Sequence, residues 1–240
     1  MTSIEEKQID DYLILNKLPL DILLEVRDHM ISQVTDLQVQ ENLSFEKAFF
    51  NTKIDWEPEF KMVKYSVFYS EEIPLIVKKV IKAKNNSILL KFFGFALLLF
   101  IINLFAIYFS ENADFYSILF RVQNGLVFLT PIALWLFNYK RRKFFRTDYK
   151  YKGKLFYTIY QQNITLLIFC LSSTGQIIMH KGISAFMFFK TDIGVDNISF
   201  LLALLVPFIT HIILIFGTIN FLEHKKTLIK IQDYIKIADE

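Results

Sequence analysis

The sequence predicts an all-α fold, an integral membrane four-helix bundle preceded by a small cytoplasmic helical domain at residues 1–86. The chain is 53% hydrophobic and contains 26 Phe in its 240 residues. It has only 7 Gly and 5 Pro, which disfavours a turn-rich β fold or a disordered chain. Long apolar segments follow a polar first third, and clusters of Lys and Arg lie between and around those segments.

The N-terminal domain is predicted to consist of short amphipathic helices. Ser3 and Glu6 have the spacing of a helix-capping box, and the pair Leu18-Pro19 ends the first helix and begins the second. In the second helix an apolar side chain recurs every three or four residues, which makes one stripe. The stripe consists of Leu23, Val26, Met30, Val34 and Leu37. Ser44 is the expected cap of a third helix, and an amphipathic helix over residues 74–84 leads into the membrane.

Four later segments are long enough to cross a bilayer. About 30 Å of hydrocarbon requires about 20 helical residues at a rise of about 1.5 Å each. The predicted spans are 88–109, 116–139, 155–179 and 198–222, within a membrane domain at 87–223 that is followed by a tail at 224–240. The alternative is a set of buried soluble helices, but four such lengths in succession would need a far larger protein to cover them.

The basic residues predict the orientation of the spans. They are concentrated before the first span, between the second and third spans, and after the fourth span. The other two loops are poorer in Lys and Arg and contain Glu111, Asp114, Asp192 and Asp196. Because Lys and Arg are retained on the cytoplasmic side, both termini of this multi-pass chain are expected in the cytoplasm of a bacterial cell, at its inner membrane.

The loop between spans two and three is a candidate lipid-binding segment, because anionic headgroups attract clustered cations. Its basic residues are Lys140, Arg141, Arg142, Lys143 and Arg146, and aromatic residues are interleaved with them. The alternative is that this loop only fixes the topology, since aromatic residues are common at membrane interfaces. Membrane lipids are therefore expected partners, whereas a loop this close to the bilayer is not expected to bind nucleic acid.

Polar side chains inside the predicted spans form a second candidate site. They are Asn103, Gln123, Asn124, Gln176 and His211. Because polar groups are costly in hydrocarbon unless they are paired, these side chains are expected to face one another inside the bundle. Two interpretations stay open: a polar site that binds a small ligand or passes an ion, and hydrogen bonding between helices.

The sequence predicts neither an enzyme nor a metal or cofactor site. It contains no G-x-S-x-G, H-E-x-x-H or C-x-x-C motif and no glycine-rich phosphate loop. The single cysteine, Cys170, excludes an intrachain disulfide. His180, His211 and His224 are expected at different depths in the membrane, so they are not expected to share one metal ion.

A pattern of helix breaks and apolar positions covers residues 9–60. It consists of Tyr12-Leu13, Leu18-Pro19, Glu25-Val26-Arg27-Asp28-His29-Met30 with Gln33, and Ser44-Phe45-Glu46-Lys47-Ala48-Phe49. In this pattern the segment resembles the helical N-terminal module of the HAAS (HTH-associated alpha-helical signalling) family. Where that family usually has a glycine-proline turn, this chain has residues 54–58 (Ile-Asp-Trp-Glu-Pro), a Bacteroidetes-type variant. The resemblance implies several transmembrane helices after the module and a cytoplasmic partner, either a PadR-type transcription regulator or a second copy of the chain.

The polar face of the second helix is the candidate partner-binding surface. It consists of Glu25, Arg27, Asp28, His29 and Gln33, and a simple solvated helix face is the alternative. The sequence thus predicts a signalling or regulatory protein in which a four-helix membrane domain is coupled to a helical interaction domain. The alternative functions are an accessory subunit of a membrane complex and a small transporter or channel subunit.

Overall fold

A computed structural model of the chain describes residues 1–66, 69–138, 149–152, 154–160, 172–179, 182–191, 194 and 196–237. The fold is all-α, and two short β-hairpins are added to the helices. The chain divides into two compact units. The first unit comprises Met1–Asn85, Thr147–Ile159 and Thr227–Glu240, and the second comprises Asn86–Arg146 and Tyr160–Lys226.

Three helices form the N-terminal part of the first unit: α1 (Ser3–Leu15), α2 (Leu20–Gln40) and α3 (Phe45–Phe60). The predicted apolar stripe of α2 is confirmed over most of its length, because Leu23, Val26, Met30 and Val34 are buried. These side chains share a core with residues of α1 and α3, namely Ile9, Leu13, Ala48 and Phe49. Burial of one face of each helix is the main stabilising term in such a core.

The ends of these helices follow local signals. Ser44 caps α3 by accepting a hydrogen bond from the Lys47 N–H, as predicted. The predicted capping box of α1 is wrong by one residue, because Thr2 and Glu5 make the reciprocal bonds. Two overlapping pairs with the same spacing occur at this terminus, and the helix begins where Thr2 adopts the extended conformation of a cap.

A β-hairpin that the sequence did not predict follows α3. Strands β1 (Met62–Ser66) and β2 (Tyr69–Pro74) pair in antiparallel fashion, and Met62 is opposite Pro74. Helix α4 begins at the next residue, where the Leu75 N–H donates to the Lys61 carbonyl at 3.0 Å. The hairpin therefore fixes where the helix that leads to the first predicted span begins.

Three of the described helices are long and apolar enough to cross a membrane. They are α4 (Leu75–Phe109), α5 (Ala113–Asn138) and, within α8 (Asn197–Ile237), the segment Asn197–Gln232. They contain all of the first and fourth predicted spans and the second up to residue 138. Many large apolar side chains on these helices are exposed, Leu90 and Phe105 among them, as expected for a surface that lipid covers.

The start of the third predicted span, at residue 155, is wrong. Strands β3 (Tyr149–Tyr151) and β4 (Lys154–Phe156) form an antiparallel hairpin there, and Lys152 adopts the left-handed conformation with φ of 48°. Alternation of Lys with aromatic residues is a period of two, which suits a strand better than a helix. Residues 161–171 of this predicted span lie outside the described residues, and residues 172–179 are helical, here named α6.

The second unit has its core where α4, α5, α6, α7 (Ile183–Lys190) and α8 meet. The core consists of Ile107, Tyr116, Phe120, Ile177, Ala185, Phe186 and Leu204. Gly182, which precedes α7, has φ of 64°, and a Cβ built on it would lie 2.9 Å from the Phe120 ring. A glycine is therefore required here both by the backbone conformation and by the close approach of α5.

Candidate functional site

Four of the five predicted intramembrane polar residues lie around one small cavity in the second unit. Asn103 of α4, Gln123 and Asn124 of α5, and His211 of α8 line a space of about 10 Å³. A cavity of about 10–15 Å³ holds one water molecule. Gln176, the fifth predicted residue, is exposed on α6 and does not line this cavity.

His211 and Asn124 join α8 to α5 by a buried hydrogen bond of 3.0 Å between His211 Nε2 and Asn124 Oδ1. The Asn124 amide group donates to the Phe120 carbonyl at 2.8 Å, which fixes which way the amide points. Its Oδ1 is therefore the acceptor, and His211 Nε2 carries the proton. The Asn124 amide, which the Phe120 carbonyl holds in place, therefore selects the His211 tautomer that is protonated on Nε2.

The other two cavity residues tie α4 to α5. The Tyr116 hydroxyl donates to Asn103 Oδ1 at 3.1 Å, and Gln123 Nε2 donates to the Leu99 carbonyl at 2.7 Å. Together with the His211–Asn124 bond, these interactions connect three helices through polar groups that would otherwise be costly in an apolar interior. A solute larger than water would require the helices to separate.

The predicted partner-binding face of α2 has two kinds of residue. Glu25, Asp28 and His29 are exposed. Arg27 and Gln33 are instead engaged within the first unit: Arg27 pairs with acidic residues of α1, and Gln33 contacts α3. The surface offered by α2 is thus narrower than the sequence predicted. An open groove of about 470 Å³ lies beside it and includes His29, Asp36 and Trp56.

Asp10 is the centre of a buried charge cluster that sequence reasoning missed. Its side chain is 1% exposed, and Arg27 Nε donates to its Oδ1 at 2.7 Å. The Lys152 ammonium group of the β3–β4 hairpin is ion-paired with its Oδ2, and the Tyr151 hydroxyl lies 3.4 Å from Oδ1. A buried carboxylate is tolerable only when cations and donors surround it in this way. One side chain therefore holds together α1, α2 and a hairpin located more than a hundred residues later.

Asp21 forms a second buried contact between distant segments, and it was also missed. Its Oδ1 accepts from the Ile159 N–H at 3.3 Å, and Lys84 Nζ of α4 lies 3.9 Å from its Oδ2. This Oδ2 is buried and accepts no hydrogen bond from the described residues. Burial raises the pKa of Asp21, an effect that the positive charge of Lys84 only partly opposes.

A further backbone bond joins the same segments. The Leu20 N–H at the start of α2 donates to the Tyr157 carbonyl, just after β4, at 2.9 Å. Since α2 begins after a proline and has no side-chain cap, this carbonyl satisfies one of its free N–H groups. The segment that contains β3, β4 and Tyr157 thus belongs to the first unit.

The remaining predicted site lies outside the described residues. Lys140, Arg141, Arg142, Lys143 and Arg146 all fall within residues 139–148. As for metals, no group of three or more His, Cys, Asp or Glu side chains arranged to hold an ion occurs in the described part of the chain.

The fold and these contacts define the class of protein: an all-α chain with at least three helices long and apolar enough to cross a membrane. No protein family, curated protein or solved structure was found to match the chain. The resemblance of residues 9–60 to the HAAS module, and the PadR-type partner that it implies, stay predictions.

Proposed function

We propose that this chain is a bacterial inner-membrane signalling or regulatory protein, in which a change in the membrane helices is passed to α1 and α2. The observation that carries the proposal is the pair of buried aspartates. Asp10 and Asp21 bind α1 and α2 to segments that continue into the second unit.

Helix α4 provides one of these continuous connections. Its residues 75–85 belong to the first unit and its residues 86–109 to the second, without a break in the helix. A tilt or rotation of the membrane-spanning part would therefore move Lys84, which lies beside Asp21. Small shifts in rigid helices are the usual means by which such changes are transmitted.

The β3–β4 hairpin provides a second connection. It follows predicted span two, and its Lys152 is ion-paired with Asp10. The charge pattern predicts that the N-terminal segment, this loop and the C-terminal tail share one side of the membrane. Their membership of a single compact unit supports a shared side, and the excess of Lys and Arg is the reason to propose that this side is the cytoplasm.

The exposed part of α2 is the proposed partner surface. Glu25, Asp28 and His29 are exposed beside the groove at Trp56, so a cytoplasmic regulator or a second copy of the chain has access to them. Transport is less well supported than signalling, because four of the five predicted polar residues are hydrogen-bonded to Tyr116, to the backbone or to one another, around a space of about 10 Å³.

The test uses the full-length chain at its native level in the source organism. Transcripts that change when the gene is deleted define the output. Asp10→Asn is expected to change the same transcripts while the protein stays in the membrane at its normal level. Asp11→Asn is the matched control, because Asp11 is the adjacent residue of the same type and is exposed.

Two outcomes would contradict the proposal. The first is a normal transcript profile in a strain with normal levels of the Asp10→Asn protein. The second is an unchanged profile after gene deletion, together with a stable stoichiometric partner in mild detergent, which would favour an accessory subunit. If Asp10→Asn lowers the protein level, Lys152→Gln serves instead, because Lys152 is 37% exposed and its loss is milder.

A further inference from the structure

A groove in the first unit has no role in the signalling proposal. It has a volume of about 730 Å³ and lies between the α1–α2 turn, the β1–β2 hairpin and the segment from β4 to Tyr157. Most of the side chains that line it are apolar, and charged side chains stand among them. The volume is within the usual range of about 300–1,000 Å³ for small-molecule sites.

Two lysines give the groove a positive charge. Lys17 comes from the α1–α2 turn, where its φ is 54°, and Lys154 begins strand β4. Neither ammonium group has an ion pair or hydrogen bond with the described residues. Among the described residues that line the groove, Glu72 is the single acidic one, so these residues together carry a net positive charge. A groove of this kind attracts an anion.

Exposed apolar side chains in the lining indicate which class of anion fits the groove. Leu155 is 63% exposed, Tyr157 is 44% exposed and Met62 is 40% exposed. Exposed leucine, tyrosine and methionine beside lysines are typical of protein surfaces that enter the boundary between headgroups and acyl chains. Tyr157 also lies only three residues before Tyr160, where the second unit resumes.

We propose that this groove binds the headgroup of an anionic phospholipid of the bilayer. Lys17 and Lys154 contact the phosphate as two point charges, and Leu155 and Met62 contact the start of the acyl chains. A free phosphate would satisfy the lysines but would leave these apolar side chains in water, so the lipid is the better fit. The described lining of the groove does not include the basic residues at 140–146 that the sequence predicts to bind lipid.

The test is a titration of purified, delipidated full-length protein with phosphatidylglycerol, followed by native mass spectrometry. Lys17→Gln with Lys154→Gln is compared with Lys7→Gln with Lys47→Gln, which removes the same charge from exposed positions outside the groove. The groove variant is expected to lower the affinity for one phosphatidylglycerol molecule by about fivefold for each lysine, and the control variant is expected to leave that affinity unchanged. Lipids on the basic loop should persist in both.

A third variant has the opposite sign. Glu72→Gln removes the carboxylate from the wall and is expected to raise the affinity for the same phosphatidylglycerol molecule by about fivefold. Equal binding of phosphatidylcholine, or equal affinities in the groove and control variants, would overturn the proposal. If millimolar inorganic phosphate emptied the site, the ligand would be a free anion and the lipid assignment would be wrong.

Discussion

The Asp10 cluster gives the most specific prediction about stability. Asp10→Asn keeps the shape of the side chain but removes the charge that Arg27 and Lys152 share. Arg27 retains Glu6 at 2.7 Å and Asp28 at 3.5 Å, and Lys152 is exposed enough to turn toward water. The substitution therefore does not leave a cation buried without a partner.

This residual pairing sets the expected magnitude. Loss of one partner from a buried ion pair costs about 3–5 kcal/mol, and the remaining partners place this case at about 3 kcal/mol, the lower end. Because urea lowers stability by about 1–3 kcal/mol per molar, the unfolding midpoint of the first unit should fall by roughly 2 M.

The fluorescence of a single tryptophan can report the unfolding of this unit within the full-length chain. The protein has 2 Trp, and Trp135→Phe leaves only Trp56 of α3. The Trp56 indole donates to Gln33 Oε1 at 3.0 Å and stacks on Phe60, so its fluorescence should change when α2 and α3 separate. Urea titration of the full-length protein in mild detergent then reports the midpoint.

The control is Asp11→Asn in the same background. An exposed substitution of this kind should move the midpoint by no more than about 0.5 M. If Asp10→Asn moved it as little as Asp11→Asn does, the charge cluster would not stabilise the unit and the reasoning would be refuted. If the Asp10 variant did not fold, Lys152→Gln should still show a fall of about 0.5–1 M, because its side chain is partly solvated.

Three further predictions concern the buried polar groups and the packing of the second unit. Burial raises the pKa of Asp21, so its stabilising contribution is full below about pH 4 and is lost as pH rises through the raised pKa. The urea midpoint of the first unit should therefore fall over this pH range, and Asp21→Asn should make the fall smaller. An equal fall in the variant and the unsubstituted protein would contradict this prediction. A double-mutant cycle of His211→Leu and Asn124→Leu, measured by thermal unfolding in detergent, should give a coupling of about 0.6–1.7 kcal/mol; a coupling near zero would count against the hydrogen bond. Gly182→Ala should lower the free energy of unfolding by about 1–3 kcal/mol, because the position has a positive φ and a close aromatic neighbour. Gly125→Ala, with open space around it, should not lower it. Equal melting temperatures of the two variants would refute this prediction.

Local and periodic signals account for what the sequence predicted. Ser44 and Pro19 mark helix starts because capping and proline geometry depend on neighbouring residues alone. The apolar stripe of α2 and the three long apolar helices follow from composition and spacing over many residues. Of the intramembrane polar residues, four lie around one cavity, as expected for polar groups that hydrocarbon forces together.

Signals that depend on distant residues were missed. Asp10 and Asp11 are adjacent and chemically identical, yet only the first is buried, and its partner Lys152 lies 142 residues away. The position of Asp10 on the same helical face as Leu13 and Ile14 was the available sign, since an acidic residue on an apolar stripe needs a partner.

The β3–β4 hairpin was missed for a different reason. Its alternating Lys and aromatic residues also fit a cytoplasmic topology signal, and the apolar Leu155 and Phe156 fit the start of a helical span. Only pairing with Tyr149–Tyr151 distinguishes a strand from these alternatives. The basic loop directly before it lies outside the described residues.

The first unit is assembled from three pieces of chain that a ribosome makes at widely separated times. Lys152 is synthesised 142 residues after Asp10, which at about 5–20 residues per second is an interval of roughly 7–30 s. Until the hairpin arrives, newly made α1 presents a carboxylate that lacks one of its two cations. The terminal helical turns of α8 are made last of all, so this unit can be complete only after the long helices between its pieces have been synthesised.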